Sequence, residues 1–297
     1  MTQSKCDFSR LNRGPCRFST IGTVLLGLTG LVVVTGCFRA RTMPGSPIPA
    51  RRVVPSVVER TRAFPSSGRN ITVDCFEPTT GGKHPAIILL HGADGFKTYS
   101  DKYREAGKLL AKEGFVVLIP HYMDRSCLEE ATDCKVIKQH FREWMASVSD
   151  AVDFAQRMDN VDAKRIGIVG HSLGAFLGLS VAVTKKGSHL AAVVDYYGGL
   201  PKPIALLGNI NQMPPTLILH GEKDETVSPQ EARDLVKLLS SRGLLHEVAF
   251  YKDQGHVFKG SDEEDANRRT LAFLKRHLSI GAASIASLDN IPVQKPE

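Results

Sequence analysis

Three residues that lie far apart in the sequence, Ser172, Asp224 and His256, have the types that nucleophilic catalysis requires. A serine hydroxyl becomes a nucleophile when a histidine removes its proton, and a carboxylate can orient that histidine. Ser172 lies in the motif Gly-His-Ser-Leu-Gly at 170–174, between an apolar run at 166–169 and an apolar helical segment. This pattern predicts a nucleophile elbow, in which glycines avoid collisions with neighbouring backbone. The motif alone also fits a tight turn with an idle serine, so its position decides the interpretation.

The acid and the base are expected in two later loops. Asp224 follows a strand that ends near Leu219 and precedes a helix that starts with a capping box at Ser228, so the helix does not need Asp224 as its cap. Glu222 and Glu225 are rival acids in the same loop. His256 lies between a predicted strand at 246–251 and the helix that Ser261 opens, and the other nine histidines fit this role less well. The chain order serine, aspartate, histidine is that of the α/β-hydrolases.

Acyl transfer also requires donors for the negative charge that develops on the carbonyl oxygen. The N–H group after the nucleophile, that of Leu173, is the first expected donor. The second is expected in the glycine-containing loop at 91–95, where Ala93 is the best candidate. This chemistry uses neither a metal nor a nucleotide, so we expect no cofactor.

The segments around these residues alternate between strand and helix patterns. Segments 57–64 and 70–76 flank a turn and predict a β-hairpin. Short apolar runs at 86–90, 115–119, 166–169, 191–194 and 216–219 are typical of strands covered on both faces. Helices are predicted between them, the longest near 136–158. The pattern predicts an α/β fold with a mostly parallel central sheet and helices on both faces, whose ligands bind at the carboxyl ends of the strands.

Composition and charge exclude several classes of protein. The 297 residues are 42% hydrophobic and 23% charged, which is ordinary for a globular protein and rules out a disordered chain or a polytopic membrane protein. Of the net charge of +7, residues 1–36 contribute +3 and the rest +4. That excess is too small to indicate nucleic-acid binding, and no nucleic-acid motif is present. The catalytic residues rather than the charge predict a small-molecule substrate with a reactive carbonyl group, and the sequence does not predict an oligomeric state.

The first 55 residues are interpreted as a targeting segment and a tether. Basic residues precede an uncharged apolar run at 21–34, and the sequence Val-Thr-Gly-Cys at 34–37 resembles the lipobox of bacterial lipoproteins. The resemblance implies cleavage before Cys37, lipidation of Cys37 and export to a bacterial cell envelope; an uncleaved single-span anchor is the alternative. Residues 37–55 are rich in proline and arginine, which suits a plain spacer or a contact with anionic head groups.

Three further cysteines lie beyond Cys37. Cys127 and Cys134 fall in one polar segment, where an oxidising compartment favours a local disulfide. A zinc site is a weaker interpretation, because no second pair of ligands has suitable spacing. Cys75 lies in a predicted strand and is interpreted as a small buried hydrophobe.

Taken together, the elbow, the two later loops, the 91–95 loop and the strand end Val-Asp-Tyr-Tyr-Gly at 194–198 resemble the dienelactone hydrolase-like branch of the α/β-hydrolases. The resemblance covers about residues 56–280 and implies a cofactor-free hydrolase of esters or lactones. Founding members use a cysteine nucleophile where this chain has Ser172, and a glutamate where it has Gly92. These departures favour a serine esterase with a different substrate.

The domain organisation and the competing functions follow. We expect a lipoprotein signal peptide at 1–36, a tether at 37–55, an α/β-hydrolase domain at 56–280 and a C-terminal tail at 281–297. A serine peptidase or an acyltransferase could use the same three residues. A non-catalytic surface lipoprotein that binds a partner is the alternative from another class, because a fold does not fix a function. That alternative predicts a degraded triad, whereas all three residues are present.

Overall fold

An eight-stranded sheet forms the centre of the protein, whose computed structural model describes residues 55–278. The strands are β1 (Val57–Ser66), β2 (Arg69–Pro78), β3 (His84–Leu90), β4 (Val116–Pro120), β5 (Val161–His171), β6 (Leu190–Tyr196), β7 (Thr216–Gly221) and β8 (His246–Tyr251). Their order in the sheet is β1-β2-β4-β3-β5-β6-β7-β8. Strand β2 pairs antiparallel with both of its neighbours, and all the other pairs are parallel.

Helices cover both faces of this sheet. They are α1 (Gly95–Thr98), α2 (Ser100–Lys112), α3 (Cys134–Gln156), α4 (Leu173–Ala182), α5 (Lys202–Leu207), α6 (Pro229–Ser241) and α7 (Ser261–Leu278). Side chains of α3, α4 and α6 form one apolar layer with alternate strand residues such as Ile88, and side chains of α2 and α7 form the other with residues such as Ile87. The central strands are therefore buried on both faces, as the apolar runs predict.

The predicted fold class, a mostly parallel sheet with helices on both faces, is confirmed. The β-hairpin and each predicted strand are present. The short helices α1 and α5 were not expected, since four to six residues are too few to establish a helical period. Within residues 55–278, no helix combines the length and the apolarity needed to cross a bilayer. The predicted signal peptide, Cys37, nearly all of the tether and the tail lie outside the described residues.

Helix α3 carries the single tryptophan of the chain. Trp144 is fully buried in the apolar layer that α3 forms with α4 and α6. Its indole Nε1–H donates to Ser126 Oγ over 2.7 Å. Its ring also lies near that of Tyr122, which contacts the loop after β3. Trp144 therefore belongs to the α3 face of the sheet.

The predicted disulfide between Cys127 and Cys134 is wrong. Cys127 is a free, exposed thiol in a left-handed conformation (φ 56°) at the end of a 3₁₀ turn, and its Sγ accepts a hydrogen bond from Arg69. Cys134 begins α3 and is buried in the core. Cys75 is a buried free thiol, as expected, and burial raises its pKa to about 12.

The register of the sheet brings the carboxyl ends of its parallel strands to one edge. Leu90 of β3 pairs with Gly170 of β5, and His171 of β5 pairs with Tyr196 of β6. Tyr196 in turn pairs with Leu219 of β7. The loops that carry the predicted site residues all leave the sheet at this edge, so the topology brings them close together.

Candidate active site

Ser172 occupies a sharp turn between β5 and α4. Its φ of 52° and ψ of −117° are strained values for a residue with a side chain, and such strain is commonly found at functional sites. The turn is held by the Ser172 N–H, which donates to the Tyr196 carbonyl over 2.9 Å. A β-carbon on Gly170 would lie 2.5 Å from the backbone of Ala175, and one on Gly174 would lie 2.5 Å from the His91 carbonyl oxygen. The steric reason for the two glycines is thus visible in the turn.

The structure brings the three predicted site residues into one chain of hydrogen bonds. His256 Nε2 lies 2.9 Å from Ser172 Oγ, and His256 Nδ1 lies 2.8 Å from Asp224 Oδ2. These are the separations expected for a nucleophile, a base and the group that orients the base. The rival acids are elsewhere, since Glu222 is paired with Arg233 and Glu225 is exposed.

The Asp224 carboxylate is fully buried and well supplied with donors. Oδ1 accepts the N–H groups of Thr226 and Val227 over 2.8 and 2.9 Å. Burial alone would raise the pKa of Asp224, but the hydrogen bonds from His220 and His256 lower it to about 2. The group is therefore ionised at neutral pH. Because its folded pKa lies below the ordinary value of 3.8, it stabilises the fold above that pH and loses this effect as the pH falls towards 2.

The loop that carries His256 is tied to its surroundings by Gln254. The Gln254 carbonyl accepts the Lys223 N–H over 2.9 Å, which joins the base loop to the acid loop. The side-chain amide of Gln254 accepts from the Lys259 N–H and donates to Asp262 over 2.8 Å, which joins the loop to α7. His256 itself keeps 20% of its side chain exposed. The imidazole is thus fixed in position and still open to a substrate.

The loop after β3 borders the nucleophile. A β-carbon on Gly92 would lie 3.5 Å from Ser172 Cβ. The loop is held by His91, whose ring stacks on Tyr122 at 4.2 Å, and by the Gly92 N–H, which donates to the Tyr103 hydroxyl over 3.3 Å. Burial lowers the pKa of His91 to about 4, so its ring is neutral at physiological pH.

The two predicted oxyanion donors are placed differently. Leu173 is the first residue of α4, where a helix leaves N–H groups without intrahelical partners. Ala93 lies beside Gly92 in the loop after β3, and its carbonyl accepts the Ala131 N–H over 2.8 Å. Within residues 55–278, neither the Leu173 N–H nor the Ala93 N–H donates a hydrogen bond in the protein. Both groups are therefore available to a ligand, and their role stays a prediction.

Two features of the site were not predicted from the sequence. His220 is one of the nine histidines that fit the role of the base less well, but its side chain lies against Asp224. The spacing of four residues between them was the available signal. Tyr197, at the strand end that resembles the family, has a φ of 47° and places its ring 4.8 Å from that of His256. Among residues 55–278 no cluster of histidine, cysteine and acidic side chains could hold a metal ion.

Comparisons with known proteins identify the family that the chain resembles. The profile of the dienelactone hydrolase family matches residues 71–278. The chain is 25% identical over 222 residues to a probable 2-oxo-3-(5-oxofuran-2-ylidene)propanoate lactonase of Bradyrhizobium, covering 68% of this chain and 87% of the relative. It is 23% identical over 222 residues to a carboxymethylenebutenolidase of Rhodococcus opacus, covering 68% and 85%.

A similar solved structure supports the same fold. It is a dienelactone hydrolase-like promiscuous phosphotriesterase from metagenomic libraries, with a TM-score of 0.65 and 16% identity. The match covers 75% of this chain and 99% of the other. The α/β-hydrolase fold predicted from the sequence is confirmed.

Proposed function

Because the chain belongs to the dienelactone hydrolase family, whose members hydrolyse esters or lactones, we propose that it is a serine hydrolase that forms an acyl-enzyme on Ser172. One observation carries the proposal. Ser172 Oγ lies 2.9 Å from His256 Nε2, and the opposite nitrogen of that ring lies 2.8 Å from a buried, ionised carboxylate. A non-catalytic binding protein has no need of this alignment.

The reaction follows from the roles of the three residues. His256 Nε2 takes the proton of Ser172 as the hydroxyl attacks the substrate carbonyl. The N–H groups of Leu173 and Ala93 hold the oxyanion, and Asp224 holds the Nδ1–H tautomer and stabilises the imidazolium. His256 then protonates the leaving alkoxide. A water molecule, deprotonated by the same imidazole, cleaves the acyl-enzyme and regenerates Ser172.

Two residues differ from those of the founding members of the family, Ser172 in place of a cysteine and Gly92 in place of a glutamate, and both differences bear on which substrate the site accepts. A serine is a weak nucleophile at its free pKa and needs an adjacent base, and His256 lies within hydrogen-bond distance to act as one. Gly92 leaves the space beside Ser172 without a carboxylate. We therefore propose small carboxylic esters or lactones as substrates, rather than dienelactone itself.

Substrate panels test this function. We expect turnover of short-chain p-nitrophenyl esters and of a simple lactone, with label from a serine-directed phosphonate on Ser172 in peptide mass spectrometry. Peptide p-nitroanilides and an alcohol acceptor belong in the same panel. Faster cleavage of the peptide substrate would favour the peptidase alternative, and faster transfer to the alcohol than to water would favour an acyltransferase. Absence of both turnover and label would contradict the proposal.

We propose further that the protein is a lipoprotein anchored through Cys37, on the sequence Val-Thr-Gly-Cys at 34–37. Replacing Cys37 by serine is expected to leave the precursor uncleaved or to release the protein from the lipid-modified fraction, because several acyl chains are needed for a firm anchor. Mass spectrometry of the membrane fraction measures this. Cys16→Ser, within the proposed signal peptide, is the matched control and should be lipidated normally. An intact Met1 on the membrane-bound protein would contradict the proposal.

A further inference from the structure

A second imidazole lies directly behind the acid of the proposed triad. His220 is on β7, four residues before Asp224, and both side chains are fully buried. His220 Nε2 lies 3.1 Å from the Val227 carbonyl oxygen and 3.3 Å from Asp224 Oδ2. A carbonyl oxygen only accepts hydrogen bonds, so Nε2 carries the proton. The same N–H therefore borders the carboxylate oxygen that accepts from His256.

These contacts close the acid loop on itself. The Val227 N–H donates to Asp224 Oδ1 over 2.9 Å, and the Val227 carbonyl takes the N–H of His220. His220 thus holds the far end of the turn as well as bordering Oδ2. Rotation of the carboxylate away from His256 would break the contact with His220 and disturb the hydrogen bonds to Oδ1.

A third buried ionisable group lies on the other side of His220. Asp195 of β6 pairs in register with Ile218, two residues before His220, so the two side chains project from the same face of the sheet. Asp195 Oδ1 accepts the Gly198 N–H over 2.7 Å. Asp195 Oδ2 and His220 Nδ1 are both buried and have no hydrogen-bond partner within residues 55–278.

The charged groups that act on His220 are Asp195 and Asp224. Burial alone would lower the pKa of His220, but the contact with Asp224 and the charge of Asp195 raise it above its ordinary value. Burial raises the pKa of Asp195 to about 6. The imidazole therefore lies between two buried carboxyl groups behind His256.

We propose that His220 is a positioning residue for the hydrolytic reaction: its Nε2–H, which donates to the Val227 carbonyl and lies against Asp224 Oδ2, holds the acid loop and its carboxylate in the orientation that receives His256 Nδ1–H. This inference rests on the proposed function. His220 lies behind Asp224 and acts only through it. Its loss should therefore alter kcat and the pH dependence of the rate, and leave KM unchanged.

Two substitutions of His220 distinguish the effect of its N–H donor from the effect of its ring volume. His220→Gln can present an amide N–H close to the place of Nε2, whereas His220→Leu removes the donor and keeps the volume. The matched control is His84→Leu. His84 is another buried histidine, and its ring nitrogens lie 3.1 and 2.8 Å from the carbonyl oxygens of Gly114 and Thr80. It begins β3, whereas the site lies at the carboxyl ends of the strands. If His220→Leu does not fold, His220→Asn takes its place, because its amide is too short to reach Asp224.

The first readout is kcat and KM for p-nitrophenyl acetate between about pH 5 and pH 9. We expect His220→Leu to lower the plateau kcat about tenfold, with KM unchanged. Its pH profile should also change, because the loss of His220 alters both the charge around Asp224 and the orientation of the carboxylate that faces His256 Nδ1. His220→Gln should stay within about threefold of the wild type, by the same hydrogen-bond argument. A merely structural role would lower the rate equally at all pH values, as His84→Leu would through loss of folded protein.

The second readout needs no turnover. In a Ser172→Ala background, the low-field proton resonance of the hydrogen bond between His256 and Asp224 should be retained with His220→Gln and lost or shifted with His220→Leu. A wild type without hydrolytic activity would refute the proposed function, while this resonance would still test the positioning role. A folded His220→Leu variant with wild-type kcat, pH profile and resonance would overturn the inference.

Discussion

Replacing Ser172 by alanine is expected to abolish nearly all ester hydrolysis, with a loss of about 10⁶-fold in kcat, as when the nucleophile of other triad enzymes is removed. The reason is chemical: no other hydroxyl is within hydrogen-bond distance of His256 Nε2 among the residues that the structure describes. What remains would come from the oxyanion donors and substrate binding. The measurement is kcat with a p-nitrophenyl ester, together with loss of phosphonate labelling.

The control for this variant lies on the same helix. Ser180 is buried in α4 and donates to the Phe176 carbonyl over 2.6 Å, so Ser180→Ala removes a buried hydroxyl of this helix without touching the proposed chemistry. We expect it to keep normal kcat with a small loss of stability. Circular dichroism must show that both variants are folded. Wild-type turnover by a folded Ser172→Ala protein would refute the assignment of the nucleophile.

Replacing Asp224 by asparagine is expected to lower kcat about 10⁴-fold, the loss known from the same substitution in another serine hydrolase. The asparagine side chain would retain the shape of the carboxylate and the hydrogen bonds that Oδ1 accepts from Thr226 and Val227. It would lack the negative charge, and an amide N–H facing His256 would favour the tautomer with its proton on Nε2, which cannot accept the proton of Ser172. The value of kcat should be measured over the whole pH range, because we expect the variant to be slower at every pH rather than to have the same maximal rate at a different pH.

Two neighbouring acids provide the controls for Asp224→Asn. Glu225→Gln changes an exposed side chain and Glu222→Gln removes a surface partner of Arg233, so both variants should keep activity close to that of the wild type. A crippling effect of Glu225→Gln, with Asp224→Asn remaining active, would mean that the acid is one residue away from the position proposed here.

The parts of the fold and the site that could be predicted are those marked by local sequence patterns. The apolar runs of β3 to β7 identify strands buried on both faces, and the glycines around Ser172 identify a turn with little space. The order of the three loops then places Asp224 and His256 at the same edge of the sheet.

Other features depend on directions and contacts that one sequence does not contain. Cys127 and Cys134 are close in the chain, but one is exposed at the end of a turn and the other faces the core. In the sequence, His220 fits the pattern of a buried strand residue. Only the folded structure shows that the loop carrying Asp224 places this carboxylate against His220. Helix α7 begins at Ser261, as predicted, but the sequence does not show that Gly260 precedes it with a φ of 62°.

The position of Trp144 on the α3 face has a consequence for following the refolding of this protein. Its fluorescence reports when α3 docks, whereas the rate of ester hydrolysis reports when the loops after β7 and β8 close on Ser172. The two signals come from different elements of the fold, and the second needs a contact between residues 84 positions apart. Entropy makes such distant contacts slow to form. A stopped-flow trace of fluorescence beside a trace of regained activity therefore separates assembly of the core from completion of the site.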